Sequence, residues 1–148
     1  MGGVRFKTLY LESCSYTAAG FRVFATARAE ATISDLTSIG IEAFALDVNK
    51  PESITAMKKD IIERTGGKLD YLVNNAGRNY TYPALDIKMD EAYETFETNV
   101  FAVMRMCQAF GPLIINAKGT IVQIGSLAGV MYVWHCLRFS RIQANLLS

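Results

Sequence analysis

Apolar residues fall into two alternating kinds of run along the chain. Short, nearly continuous ones occupy residues 22–27 (Arg-Val-Phe-Ala-Thr-Ala), 43–46 (Ala-Phe-Ala-Leu), 69–73 (Leu-Asp-Tyr-Leu-Val) and 120–124 (Thr-Ile-Val-Gln-Ile). Runs of this length and composition predict strands buried on both faces of a parallel sheet. Between them the apolar residues recur every three or four positions, the spacing of a helix face. Ile33 and Leu36 mark a short helix over 29–39, stopped by Gly40. Ile54, Met57 and Ile61 mark a longer one, with Pro51 in its first turn, Glu52 at the positive end of its dipole, Lys58, Lys59 and Arg64 towards the negative end, and Gly66-Gly67 as its stop. A third helix begins near Asp90 and sets Ala92, Phe96, Val100, Val103, Cys107 and Phe110 on one face, expected to lie on the sheet. Phe101, Met104 and Met106 are then expected to point elsewhere, and Pro112 to kink or end the helix near Gly111. Residues 5–11 alternate loosely and make a weaker strand candidate.

Strands alternating with helices imply right-handed βαβ units, hence an α/β fold with a doubly wound, mainly parallel sheet. In such a sheet ligands bind beyond the carboxyl ends of the strands. The four predicted strands end at Arg28, at Asp47-Val48, at Asn74-Asn75-Ala76-Gly77 and at Ser126. All are therefore expected on one rim. The change after Val73 is abrupt, from apolar residues to two side-chain amides, a small residue and a glycine. Asn and Gly also make ordinary turns. A guanidinium at Arg28 suits an adenosine 2′-phosphate and favours NADP over NAD, against the alternative of a solvated surface charge. Asp47-Val48 suits an adenine edge, although Asp after a strand is also a common loop residue.

Composition narrows the picture without changing it. The 148 residues are 51% hydrophobic, enough for one domain with a core. A net charge of +1, from 15 basic and 14 acidic residues, gives no field that would draw the chain to nucleic acid or to anionic membranes. Cys14, Cys107 and Cys136 fit neither a disulfide framework nor a zinc site. No signal-peptide core and no long uncharged apolar stretch occur, so a cytoplasmic location and no transmembrane segment are expected.

As a set, Phe24-Ala25-Thr26-Ala27-Arg28, Leu46-Asp47-Val48, Asn74-Asn75-Ala76-Gly77, Asn99-Val100 and Gly119 to Ser126 resemble, in order and spacing, the short-chain dehydrogenase/reductase family, over residues 19–130. Asn99-Val100-Phe101 and Ala117 to Val122 look most like the fungal NADPH-dependent 1-acyldihydroxyacetone-phosphate reductases within it. The resemblance implies a Rossmann-like NAD(P)-binding domain, truncated at both ends. It implies an NADP-dependent oxidoreductase that reduces a carbonyl on a small or lipid-like substrate, with the endoplasmic reticulum or lipid-droplet surface as a further location. By position, Arg28, Asp47, Val48, Asn74, Asn75, Ala76 and Gly77 would hold NADPH. Asn99 corresponds to the helix asparagine that holds a water in the family's proton relay, and Ser126 to the serine that orients the substrate oxygen. A fixed hydroxyl suits the second role, because hydride transfer builds alkoxide-like charge there.

Two family features are missing. No Thr-Gly-x-x-x-Gly-x-Gly turn occurs; residues 13–21 read Ser-Cys-Ser-Tyr-Thr-Ala-Ala-Gly-Phe, too short for a crossover helix and lacking the glycines that let backbone approach a pyrophosphate. None of the tyrosines, Tyr10, Tyr16, Tyr71, Tyr80, Tyr82, Tyr93 and Tyr132, has lysine four residues on, so the acid/base pair is absent. NADPH is accordingly expected to bind weakly or not at all, with little turnover. From Met131 the chain departs from the family, and allowed codons for Trp134 to Arg138 read one base later can spell Gly-Thr-Val-Tyr. A non-catalytic remnant or interaction protein from a truncated or mispredicted gene is the alternative. The 90–110 helix, lacking its family neighbour, is expected to self-associate.

Overall fold

The computed structural model describes residues 18, 20–29, 36–37, 41–83 and 85–126. They form two compact units divided between Arg64 and Thr65. In the first, β1 (Phe24–Ala27) and β2 (Glu42–Ala45) pair in parallel, with Phe24 opposite Glu42 and Ala27 opposite Ala45. Ala25, Leu36, Ile41 and Ala43 form a core, with Val23 and Ala27 against it. The small residues of β1 permit this close packing, since Ala25 and Ala43 sit directly opposite. Helix α1 (Pro51–Thr65) follows as its end signals require, burying Ile54, Met57 and Ile61. Gly66 and Gly67 leave it at φ 64° and 78°, a left-handed backbone that suits glycine.

Glu42 knits the open end of this pair. Its carboxylate accepts from Arg22 Nε and from Arg64 at 2.7 Å each, and Arg22 also donates to the Arg64 carbonyl at 2.9 Å. Each guanidinium lies over a ring, Arg22 4.9 Å from the centroid of Phe24 and Arg64 5.0 Å from that of Phe44. The Arg22 hydrogen bond and the two positive charges hold the Glu42 carboxyl below its ordinary range, against the opposing pull of burial.

The second unit holds β3 (Tyr71–Asn74) and β4 (Thr120–Gln123), parallel and paired from Tyr71–Thr120 to Asn74–Gln123. Between them run α2 (Met89–Phe96), a π-helical turn (Glu97–Phe101) and α3 (Ala102–Ala117) as one continuous rod. This rod is long and apolar enough to cross a membrane, but it carries Glu91, Glu94, Glu97 and Arg105 and packs through α3 on β3 and β4 as a core helix. The two parallel pairs match the 3-2 and 4-5 neighbours of the doubly wound order 3-2-1-4-5-6. The strand candidate at 5–11 and most of the 29–39 helix lie outside the described residues.

Two expectations for the rod need correction. Its buried residues are Ala92, Thr95, Ala102, Met106, Phe110, Leu113 and Ile114, so Met106 faces the core, while Phe96, Val100, Val103 and Cys107 are only half-buried. Phe101 and Met104 do point outward, 50% and 54% exposed. The wider π turn admits an extra residue and rotates the helix beyond it, which a uniform 3.6 period misses. Of the two outcomes expected at Pro112, a kink or an end, the end does not occur: α3 continues to Ala117. Burial of Leu113 and Ile114 just beyond the proline offsets the lost hydrogen bond. The rod ends at Lys118, left-handed at φ 54°. Gly119 comes next, under a backbone ceiling: a Cβ there would stand 2.3 Å from the Asp70 carbonyl oxygen and 2.7 Å from that of Leu69.

Candidate functional site

The Asn-Asn-Ala-Gly turn stands at the carboxyl end of β3. Its first member, Asn74, is buried, and its Nδ2 lies 3.7 Å from Cys107 Sγ on α3. Gln123, its register partner on β4, places Nε2 at the same distance from that sulfur. Asn74 also accepts the Ile124 N–H through its carbonyl at 3.0 Å. Asn74 thus ties β3, β4 and α3 together. Asn75 and Gly77 are half-buried and Ala76 is exposed.

Asn99 sits inside the π turn and spends its side chain on the residue after the motif. Its Oδ1 accepts the Arg78 N–H at 2.7 Å, and its Nδ2 donates to the Arg78 carbonyl at 2.9 Å. Both main-chain groups of one residue are held by one amide. The same oxygen stands 3.5 Å from where a Cβ on Gly77 would be. A π turn inside an α-helix is frequently found at functional sites, and here it aims the amide at the turn. The Arg78 guanidinium is paired with Glu91 and Glu94 of α2. Beyond it, Tyr80 and Tyr82 stack with centroids 5.1 Å apart, and Tyr80 Oη accepts the Lys88 N–H at 3.0 Å. Ser126 is exposed and follows β4 from the end at which Asn75 follows β3.

The remaining candidates belong to the first unit. Arg28 is exposed in the bend after β1, and no carboxylate pairs with it among the described residues. Asp47 builds the turn into α1: Oδ1 accepts the Asn49 N–H at 3.1 Å, Oδ2 is 3.9 Å from Lys50 Nζ, and its N–H donates to Ser53 Oγ at 3.0 Å. Val48 is half-buried beside it. The structure therefore brings Asn74–Gly77, Asn99 and Ser126 to one end of one strand pair, and Arg28, Asp47 and Val48 to the carboxyl end of the other. Sequence reasoning missed Arg78, Gln123 and the polar use of Cys107. An arginine followed by glutamates at helical spacing, Glu91 and Glu94, was the available signal.

A family model described as short chain dehydrogenase matches residues 12–140. The chain belongs to that family. It is 43% identical over 141 residues to the short-chain dehydrogenase cctT of Talaromyces islandicus, an overlap of 86% of this chain and 50% of that protein. It is 39% identical over 114 residues to the NADPH-dependent 1-acyldihydroxyacetone phosphate reductase of Schizosaccharomyces pombe, 77% of this chain and 38% of that one. A short-chain dehydrogenase from Streptomyces avermitilis superposes with a TM-score of 0.80 at 30% identity, over 97% of this chain and 54% of its own. The chain thus spans about half the length, or less, of the curated relatives it matches.

The family's nicotinamide nucleotide fits these residues in part. Arg28 has an exposed guanidinium for a phosphate, and Asn75 to Gly77 offer main chain with only small side chains in the way. Asp47 fits less well, because Oδ1 is already taken by the turn. The glycine pattern of a pyrophosphate cradle is not in the sequence.

Proposed function

We propose that this chain carries the nucleotide- and carbonyl-orienting residues of an NADP(H)-dependent reductase acting on a small or lipid-like carbonyl compound. The observation that carries the proposal is the Asn99 clamp, which fixes the family's Asn-Asn-Ala-Gly turn at the ligand end of β3. Bound NADPH would supply hydride. Arg28 would pair with the adenosine 2′-phosphate, and the Asn75–Gly77 main chain would border the nucleotide. The Ser126 hydroxyl would donate to the carbonyl oxygen as negative charge builds there. Asn99 would act through Arg78 by holding the turn, with one amide N–H and one oxygen lone pair engaged on main chain and the second of each left for a relay water. The fungal NADPH-dependent relative supports the choice of NADP. A cytoplasmic setting, including a lipid surface facing it, fits such a substrate.

No tyrosine in this chain has the lysine partner that would supply the general acid. General acid–base catalysis is worth ~10²–10⁴-fold, so turnover by this chain is expected to be at least that far below a complete enzyme. Parallel titrations with NADPH and NADH test the cofactor assignment. NADPH should bind more tightly, and Arg28→Ala should remove that preference while leaving NADH unaffected. Equal affinity for the two nucleotides, or a preference that survives Arg28→Ala, would refute it.

A further inference from the structure

The loop from β3 to α2, residues 78–88, leaves the side on which a doubly wound sheet takes its ligands, and it is held at more points than a connection requires. Asn99 grips the Arg78 main chain, and Glu91 and Glu94 hold its guanidinium. The Asp86 N–H closes a turn on the Pro83 carbonyl at 3.0 Å, and the Lys88 N–H fixes the Tyr80 ring through its hydroxyl at 3.0 Å. Tyr82 lies on that ring at 5.1 Å and 25°, and remains 50% exposed. Leu85 and Met89 nearby in the chain are also exposed. This is a held aromatic surface, beginning three residues after Gly77 in the chain and displayed to solvent.

We propose that the Tyr80–Tyr82 stack receives a flat apolar group of the substrate, an aromatic or conjugated ring joined to the carbonyl, and that Arg78 with its two glutamates is the positioning residue that sets the stack. The proposal rests on the reductase reading for the carbonyl but not for the ring. Tyrosine offers a large contact area with little conformational freedom to lose, and a planar ring gains offset stacking that an alkyl chain does not. Charge points the same way. Asp86, Asp90, Glu91 and Glu94 outnumber Arg78 and Lys88 around the loop, so an anionic group such as a phosphate is disfavoured there. Among apolar groups, the stack selects the flat ones.

Saturation-transfer NMR on the full chain tests this with 2-acetonaphthone, 2-undecanone and glycerol 3-phosphate as probes. The naphthyl ketone should bind most tightly, with saturation strongest on its ring protons. Tyr82→Leu, at an exposed position that tolerates the change, should weaken it by about fivefold, and Tyr82→Phe should not. Arg78→Gln should weaken it about threefold, with Arg78→Lys recovering part of the loss, since an ion pair needs the charge and only partly the fork. No binding of the naphthyl ketone, equal binding of 2-undecanone, tighter binding of glycerol 3-phosphate, or indifference to Tyr82→Leu would overturn the proposal. Separate titrations with NADPH and NADH keep the two readings apart. Ring-selective binding with no preference for NADPH over NADH would remove the reductase reading alone, and such a preference without ring selectivity would remove this one alone.

Discussion

Replacing Asn99 with alanine removes two hydrogen bonds at once, at 2.7 and 2.9 Å, both to main-chain groups of Arg78. A buried polar group left without a partner costs about 1–3 kcal/mol. These groups are only partly buried, so water regains some of that. Alanine is also the better helix former by roughly half a kcal/mol. The net expectation is a loss of ~1–3 kcal/mol in the second unit, with the Arg78 amide exchanging at least about fivefold faster, as 1.36 kcal/mol corresponds to a factor of ten.

Asn99→Asp is the sharper variant. As a carboxylate it still accepts the Arg78 N–H, but its second oxygen faces the Arg78 carbonyl, acceptor against acceptor. Above the ordinary Asp pKa of about 3.9 the variant should be as unstable as Asn99→Ala. Below it, the protonated oxygen can donate to the carbonyl, and the difference from wild type should shrink. Urea unfolding at pH 7 and pH 3, with hydrogen exchange at Arg78, measures both effects. A loss under about 0.5 kcal/mol for Asn99→Ala, the ordinary range for surface changes, together with unchanged Arg78 exchange, would show that the clamp contributes nothing.

Gly119→Ala should destabilise by ~1–3 kcal/mol or more, because its Cβ would meet main chain rather than a movable side chain; thermal unfolding reads this directly. Lys118→Gly should stabilise modestly, by about 0.5–1 kcal/mol, since the left-handed penalty of roughly 1–2 kcal/mol exceeds the entropic cost of glycine; the denaturant midpoint should rise without a change in slope. Glu42 has a lowered pKa in the fold, so its contribution is complete above the unfolded value and is lost as pH falls through the folded one. Glu42→Gln should therefore cost ~0.2–1 kcal/mol at pH 7 and little at pH 2, and a cost that grows towards acid would reverse the assignment. Tyr93, Phe101, Met104 and Ile115 leave an apolar stripe exposed on the rod, so light scattering should show self-association that Phe101→Glu with Met104→Lys reduces.

Much of the architecture was legible because it obeys local rules. The four short strands lie inside or within a residue of the predicted runs, and α1 runs from Pro51 to just before the glycine pair. The rod was legible only as a rod. Its buried face depends on the π turn at Glu97–Phe101, and a change of step in the hydrogen-bond ladder leaves no mark on the spacing of apolar residues. Phe110 fits both registers, which hid the slip; Met106 and Cys107 exchange places between them. At Pro112, where a kink or an end is expected, the helix continues, as two buried residues beyond it outweigh one missing N–H. Among the site residues, position was legible and use was not. Hydrogen bonds between Asn99 and a residue 21 positions away cannot be read from either neighbourhood.

That gap between position and use divides the motif residues into two kinds. Asn74, Asp47 and Asn99 carry the most suggestive polar side chains, yet each is engaged within the fold: Asn74 on a thiol, Asp47 in its own turn, Asn99 on main chain. Turned to solvent at the strand ends are Arg28 in the first unit and Ala76 and Ser126 in the second, where Asn75 and Gly77 are half-buried. A ligand at the end of the second strand pair would thus be met by one hydroxyl and a stretch of main chain held rigid from behind, and one at the end of the first pair by a guanidinium. Rigidity is what such a surface needs, because donors already fixed at the place where charge develops require no reorganisation when it does. Substitutions at Asn74 and Asn99 should therefore act on ligand binding and on stability together, whereas those at Arg28 and Ser126 should act on binding with the fold unchanged.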